Sequence, residues 1–117
     1  MKNEFQELVT VEQWRDLYER SANKRIFLFK HSTTCPISAK ANEEVHQFAE
    51  NYDGKDAEFA FLKVRESRPV SNAIEADLQI KHESPQFFII ENKEVKWCDS
   101  HWNITKEKIE EALQAIQ

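Results

Sequence analysis

Residues 26–38 join an apolar run to a cysteine and a proline, and they read Ile26-Phe27-Leu28-Phe29-Lys30-His31-Ser32-Thr33-Thr34-Cys35-Pro36-Ile37-Ser38. The unbroken apolar run at the start is typical of a strand buried on both faces of a parallel sheet. Pro36 favours the first position of a helix, because proline lacks the amide hydrogen that this position leaves unbonded anyway. The stretch therefore predicts a central strand, a polar turn, and a helix with Cys35 as its N-cap.

Helical and strand patterns alternate on both sides of this stretch. Thr10-Val11-Glu12-Gln13 has the form of a capping box and predicts a first helix over about residues 11–21. Apolar residues at helical spacing carry the second helix to about residue 52, and Gly54 is predicted to end it with a positive φ. Residues 59–64 form another apolar run, which predicts a second buried strand, parallel to the first.

The remaining elements complete one layered architecture. Ser67 is predicted to cap a third helix, residues 86–90 to form a third strand, and residues 94–97 to form an edge strand in a hairpin with it. Thr105 is predicted to cap a last helix, with Ile104 and Ile109 as a hydrophobic staple. Residues before Thr10 leave room for a short outer strand. This order predicts one domain over residues 1–117, a thioredoxin-like three-layer α/β/α sandwich with a mixed, mainly four-stranded sheet.

The composition narrows the classes of function. The 117 residues carry 16 lysines and arginines against 21 aspartates and glutamates, and this net charge of −5 disfavours a nucleic-acid surface. A single glycine excludes the glycine-rich loops that hold nucleotide phosphates. No apolar stretch approaches the roughly 18 residues of a spanning helix, and the start of the chain has no signal-peptide pattern. We therefore expect a cytoplasmic protein that binds neither nucleic acid nor membrane, with its two cysteines as free thiols.

The sequence places the chemistry at Cys35. At a helix N-cap its sulfur faces the free amides of Ile37 and Ser38 and the positive end of the helix dipole, which favour the thiolate. Thr34, Pro36, Ile37 and Ser38 are the residues expected to support it, the last also through its hydroxyl. Ser38 stands where a Cys-X-X-Cys pair has its second cysteine, so a monothiol exchange cycle is implied. The alternative is a structural cysteine packed as a small apolar residue.

Two other loops are expected at the same end of the sheet. In thioredoxin-like proteins the loop before the third strand carries a cis-proline facing the cysteine, so we expect Ser84-Pro85 to be cis and the backbone of Ser84 to pair with the bound disulfide. Arg65 and Arg68 follow the second buried strand and suit carboxylate recognition. The sequence supports equally well the alternative that these are exposed arginines paired with Glu66 or water. Lys30 and His31 add positive charge near the cysteine.

Four blocks of the sequence resemble, in order, those of the monothiol bacilliredoxins, also called YtxJ-like proteins. They are Phe29-Lys30-His31-Ser32-Thr33-Thr34-Cys35-Pro36-Ile37-Ser38, Glu66-Ser67-Arg68-Pro69-Val70-Ser71-Asn72, His82-Glu83-Ser84-Pro85-Gln86 and Ser100-His101-Trp102-Asn103-Ile104-Thr105. Together they span nearly the whole chain. The resemblance implies a thiol-disulfide oxidoreductase of thioredoxin fold that removes bacillithiol from oxidised proteins under oxidative stress.

The resemblance also implies a reaction cycle. The Cys35 thiolate attacks the bacillithiol sulfur of a protein mixed disulfide and holds bacillithiol until a second thiol frees it. The partners are then bacillithiolated proteins and bacillithiol itself, a thiol co-substrate, with no tightly bound cofactor. Bacillithiol contains a malate unit, and we infer that Arg65 or Arg68 binds its carboxylates. Cys98 is a candidate resolving thiol, although strand alternation places it with Glu94 and Lys96.

Two other classes of function stay open at this stage. A metal or cluster site would need Cys35, Cys98 and some of the histidines to converge from distant positions, because no metal-ligand spacing is present. A redox-silent interaction module would use Trp97 and Trp102 as an exposed aromatic patch. Trp97 is more simply a core residue, and Trp102 more simply covers the last helix.

Overall fold

The computed structural model describes residues 3–116, which form five strands, four α-helices and one short 3-10 turn. In chain order these are β1 Phe5–Glu7, α1 Val11–Arg20, β2 Arg25–His31, α2 Pro36–Asn51, β3 Ala57–Lys63, α3 Arg68–Leu78, β4 Gln86–Glu91, β5 Glu94–Ser100, the 3-10 turn His101–Asn103 and α4 Lys106–Ile116. Every predicted helix and strand is present. β1 is the short outer strand for which the residues before Thr10 left room.

The strands form one mixed sheet in the order β1-β3-β2-β4-β5. β1, β3 and β2 are parallel, and β4 pairs antiparallel with β2 and with β5. The sheet therefore has five strands, one more than the four mainly expected. The central position of β2 agrees with its burial, since all its residues except His31 are buried.

Apolar side chains cover both faces of the sheet, as alternation along buried strands requires. On one face Phe27, Phe29 and Phe87 pack against α2 and α4, and we call this the α2/α4 face. On the other, the α1/α3 face, Leu28 and Phe88 pack against α1 and α3. The predicted three-layer α/β/α sandwich of thioredoxin type is confirmed. None of the helices in the described part of the chain is long and apolar enough to cross a lipid bilayer.

The strand register brings four loops to one end of the sheet. The last residue of β2, His31, lies beside the last residue of β3, Lys63. Lys30 lies opposite Gln86, the first residue of β4, and Gln86 lies opposite Ser100 at the end of β5. The loops after β2, β3 and β5 and the loop before β4 therefore meet there, as the topology predicted.

Gly54 does not end α2 in the way the sequence predicted. The helix ends at Asn51, the C-cap Tyr52 is extended, and Gly54 has no positive φ. A Cβ on Gly54 would lie 3.2 Å from the Tyr52 ring, so the glycine makes room for that ring. The left-handed residue after a helix is instead Gln79, which follows α3 with a φ of 57°.

Strand β5 departs from simple alternation. Ile90 pairs with Val95 but Ile89 pairs with Trp97, so Lys96 is an extra residue in a β-bulge. The bulge reverses the faces beyond it, and Cys98 packs with Val95 on the α1/α3 face while Trp97 packs on the α2/α4 face. The prediction that Cys98 lies opposite Val95 is therefore wrong.

Candidate functional site

Cys35 is the N-cap residue of α2, and Pro36 is the first residue of the helix. The Cys35 carbonyl accepts a hydrogen bond from the Ala39 amide at 3.0 Å, which closes the first turn. The residue is partly exposed, and within residues 3–116 its sulfur caps no backbone amide. The thiol thus lies beside the helix N-terminus, where the sequence placed it, and is open to a reaction partner.

Ser38 contacts other groups than the sequence predicted. Its side chain is fully buried, and its hydroxyl oxygen accepts a hydrogen bond from the Ser32 amide at 2.9 Å. The same oxygen lies 2.7 Å from Nδ1 of His31. Burial lowers the pKa of His31, so Nδ1 of the neutral ring can accept a hydrogen bond from the Ser38 hydroxyl. Ser38 therefore fixes the turn before Cys35 rather than donating to its sulfur.

The peptide bond between Ser84 and Pro85 is cis, as expected. The Pro85 carbonyl accepts a hydrogen bond from the His101 amide at 3.0 Å, which ties the loop before β4 to the 3-10 turn after β5. Pro85 is buried, whereas Ser84 is partly exposed. The Ser84 hydroxyl is a buried oxygen for which the described residues supply no hydrogen-bond partner.

A cavity of about 430 Å³ opens next to Cys35. Three of the other side chains that line it, Arg65, Arg68 and Ser84, belong to the residues the sequence singled out. The structure thus brings the thiol, both arginines and the residue before the cis-proline to one opening. The remaining lining residues are Ser32, Val64, Ser71, Asn72, Glu75 and His82.

The two arginines are exposed at the rim of this cavity. Arg65 donates a hydrogen bond from Nη1 to Oγ1 of Thr34 at 3.3 Å, so Thr34 contacts the arginine. Glu66 accepts a hydrogen bond from the Thr33 hydroxyl at 3.5 Å and forms no ion pair with Arg65 or Arg68. Both guanidinium groups can therefore reach an anion in the cavity.

A group of polar side chains lies behind the cavity and was not predicted from the sequence. Lys30 is fully buried, and its Nζ lies 3.1 Å from Nδ1 of His82 and 3.4 Å from the carbonyl oxygen of Ser71. The His82 amide donates to a Glu75 carboxylate oxygen at 3.0 Å. Burial is the main cause that lowers the pKa of Lys30 to about 8, against an opposing effect of Glu75. A single lysine within an apolar strand was the only signal in the sequence.

Cys98 lies deeper in the sheet than Cys35. It pairs with Phe88, which pairs with Leu28 of β2, three residues before the end of that strand. Gln86 donates from Nε2 to the Cys98 sulfur at 3.6 Å, and burial raises the pKa of this thiol. Cys98 is not among the residues that line the cavity beside Cys35.

The two tryptophans near this end of the sheet differ in environment. Trp97 is partly buried and packs against Phe87, with ring centroids 6.3 Å apart, as expected for a core residue. Trp102 is 65% exposed in the 3-10 turn, so it does not cover the last helix as predicted. Among residues 3–116, no three histidine, cysteine or acidic side chains are grouped so that they could hold a metal ion.

The arrangement can perform thiol chemistry on a substrate that carries negative charge. A partly exposed cysteine at a helix N-terminus supplies a nucleophile, and the arginines supply charged hydrogen-bond donors at the same cavity. The comparison with protein families agrees with this chemistry. A family model described as "Monothiol bacilliredoxin BrxC" matches residues 6–109, a range that contains all of the cavity's residues.

Solved structures with the same fold include several redox proteins. One, described as a candidate oxidoreductase with a thioredoxin fold, is 34% identical, covers 92% of this chain and 91% of its own, and superposes with a TM-score of 0.80. Thioredoxin from Trypanosoma brucei brucei is 14% identical over 99% of this chain and 93% of its own, with a TM-score of 0.76. Thioredoxin from Fasciola hepatica is 17% identical over 97% and 100%, with a TM-score of 0.74. The last two similarities concern the fold alone.

Proposed function

Since the chain belongs to the monothiol bacilliredoxin family, as its sequence blocks predicted, we propose that it removes bacillithiol from protein mixed disulfides through Cys35. Membership of this family makes the chain a thiol oxidoreductase of thioredoxin fold, and bacillithiol is the more specific part of the proposal. The observation that carries it is the cavity that Cys35 shares with Arg65 and Arg68. A thiol nucleophile beside two guanidinium groups suits a small thiol that carries carboxylates.

The proposed reaction is a disulfide exchange in two steps. The Cys35 thiolate attacks the bacillithiol sulfur of the substrate, a new disulfide forms between Cys35 and bacillithiol, and the protein sulfur leaves as a thiolate. A second thiol then attacks the bacillithiol sulfur bound to Cys35 and regenerates the Cys35 thiolate. No metal or tightly bound cofactor takes part in either step.

The cavity residues orient the substrate in this proposal. The malate carboxylates of bacillithiol bind Arg65 and Arg68 at the rim, with paired hydrogen bonds to the guanidinium groups. The backbone of Ser84 pairs with the mixed disulfide, because Ser84 lines the same cavity as Cys35. The exposed ring of Trp102 lies in the turn bonded to Pro85 and contacts the protein part of the substrate.

We propose that Cys35 works without Cys98 as a resolving thiol. The three residue-to-residue steps from Leu28 to His31 span about 10 Å at the usual rise per residue. Cys35 lies beyond His31, whereas a disulfide needs Cα atoms within about 7 Å of each other. The second thiol therefore comes from outside the chain.

The cellular setting is part of the same proposal. Cys35 and Cys98 are both free thiols, which suits a reducing cytoplasm. The helices cover both faces of one sheet, which supports a single domain over residues 1–117. The partners are bacillithiol and bacillithiolated proteins, without nucleic acid or membrane.

The test compares one peptide whose cysteine carries either bacillithiol or glutathione. We expect the lower KM for the bacillithiol form, because its malate unit reaches the arginines. Arg65→Ala and Arg68→Ala should each raise that KM about three- to tenfold with little change in kcat, since exposed guanidinium-carboxylate pairs are partly screened by water. Arg20→Ala is the matched control, because Arg20 pairs with Glu58 near the start of β3, at the other end of the sheet. Equal KM values for both forms, unchanged by the arginine substitutions, would contradict the bacillithiol assignment.

A further inference from the structure

The ammonium group of Lys30 lies inside the protein, and no carboxylate among residues 3–116 is hydrogen-bonded to it. Its side chain projects from β2 onto the α1/α3 face and is fully buried. In the described part of the chain, Nζ has two partners, the Ser71 carbonyl and the His82 ring, and both are neutral acceptors. Burying an amine in this way costs free energy that a hydrophobic side chain would not. A position with this cost and direct contact to a cavity residue is a candidate for function.

Lys30 fixes the tautomer of His82. A lysine ammonium can only donate, so Nδ1 of His82 accepts the hydrogen bond at 3.1 Å. The remaining ring proton must then sit on Nε2. Burial is the main cause that lowers the pKa of His82, and the charge of Lys30 adds to it, so the ring is neutral at pH 7. His82 is held in place by the hydrogen bond from its backbone amide to the Glu75 carboxylate, and it lines the cavity beside Cys35.

We infer that His82 and Lys30 form a proton relay that protonates the sulfur leaving the substrate during exchange at Cys35. This inference rests on the proposed exchange reaction and adds to it the group that handles the proton. His82 is the residue that contacts the substrate. Lys30 is the positioning residue and the proton source, and it acts through His82.

The relay balances in charge and atoms. Cys35 attacks the mixed disulfide, the disulfide to Cys35 forms, and the protein sulfur departs with the electron pair of the broken bond. Nε2 of His82 gives its proton to that thiolate while Nζ of Lys30 gives a proton to Nδ1. The products are a neutral protein thiol, a neutral histidine with its proton on Nδ1, and a neutral lysine amine. Water in the open cavity returns the proton through the same path.

The acidity of the relay matches the task. A lysine ammonium with a pKa of about 8 is close to an ordinary cysteine thiol, whose pKa is about 8.5, and proton transfer is most efficient between matched groups. Glu75 and Arg68 of α3, Glu83 of the loop before β4 and Cys98 of β5 are the charged or titratable groups that act on the pair. The Glu75 carboxylate favours the ammonium form of Lys30, so Lys30 still carries its proton at neutral pH.

The test uses two mixed disulfides of the same small thiol, one with a cysteine peptide and one with an aromatic thiol. The aromatic thiol leaves as a stable thiolate and needs no proton. His82→Gln and Lys30→Met should slow release of the cysteine peptide about tenfold or more and leave release of the aromatic thiol within about twofold. Lys81→Met is the control for loss of a nearby lysine, because Lys81 is exposed. Equal slowing for both leaving groups, or slowing for neither, would overturn the relay.

Two further measurements distinguish the relay from a purely structural role of Lys30 and His82. They do not depend on whether the substrate carries bacillithiol or glutathione. In the unmodified protein, the release rate of the cysteine peptide divided by that of the aromatic thiol should fall as the pH rises above about 8, because Lys30 loses its proton. The ratio should be independent of pH in Lys30→Met. Nitrogen NMR of the His82 ring at pH 7 should give the tautomer protonated at Nε2, and a proton on Nδ1 would exclude the relay. Each measurement can be made with a substrate that carries glutathione as well as with one that carries bacillithiol. The relay can therefore be tested even if the bacillithiol assignment fails.

Discussion

A buried ammonium group makes Lys30 a residue that costs stability at neutral pH. Its pKa in the folded protein is about 8, below the ordinary 10.5, so folding favours the neutral amine. Below pH 8 the lysine is protonated in both states and the penalty is fully present. Between about pH 8 and 10.5 the unfolded chain binds the proton more tightly, so stability from this group rises with pH.

Lys30→Met should therefore raise the free energy of unfolding at pH 7, by about 1 to 2 kcal/mol, because methionine fills the site without a charge to desolvate. The gain over the unmodified protein should shrink as the pH rises from 8 toward 10.5. Urea denaturation at several pH values, with Lys81→Met as the control, measures both effects. A loss of stability at pH 7 would mean that the ammonium hydrogen bonds outweigh its desolvation.

Single residues of the site were predictable where local chemistry determines them. Proline at the first helical position locates Cys35 at the N-cap, and the fold determines the loop that holds Ser84 and Pro85. The contacts of Ser38 and Lys30 were not predictable in this way. Each depends on which way a side chain points after the strand register is set, and so on the distant partners His31 and His82.

At the scale of secondary-structure elements, the ends of helices are the features that the local sequence predicts best. Thr105 precedes α4, and its hydroxyl accepts a hydrogen bond from the Lys108 amide at 3.1 Å. Ile104 and Ile109 are both buried in one cluster, so the predicted staple is present. The Lys106 amide donates to a Glu44 carboxylate at 2.9 Å, which fastens α4 to α2.

Thr105→Ala should lower the free energy of unfolding by about 1 kcal/mol, because one amide of the first turn loses its cap. Thr105→Ser keeps the hydroxyl and should restore most of that stability. Urea denaturation of the two variants and the unmodified protein gives the comparison. If alanine and serine had the same effect, the methyl group rather than the cap would be responsible.

Strand β5 is an element whose geometry its own sequence pattern predicts only in part. Its apolar-polar alternation predicted a hairpin edge, and the hairpin is present. The bulge at Lys96 is not visible in that pattern, because Val95 and Trp97 are two residues apart and read as neighbours on one face. Only the pairing with Ile89 and Ile90 reveals that they face opposite sides, and this moves Cys98 to the α1/α3 face.

At the scale of the whole molecule, topology concentrates the chemistry at one end of the sheet. The chain is acidic overall, with a net charge of −5, yet Arg65 and Arg68 lie at the cavity with Lys30 behind it. The alternation of helices and strands was enough to predict this architecture and the meeting of its loops. The cavity's shape and the contact between Lys30 and His82 behind it needed the packed structure, because α3 and the loop before β4 contribute to them from distant parts of the chain.

The most direct test of the account is the intact mass of the protein after one turnover. The Cys98→Ala variant is mixed with an equal amount of a bacillithiolated protein, quenched with acid and measured by mass spectrometry. We predict that the variant gains one bacillithiol, located on Cys35 by peptide mapping, while the substrate loses it and recovers a free thiol. Cys35→Ser should remain unmodified. Unchanged masses of both proteins in the Cys98→Ala reaction would contradict the proposal that Cys35 alone carries out the exchange.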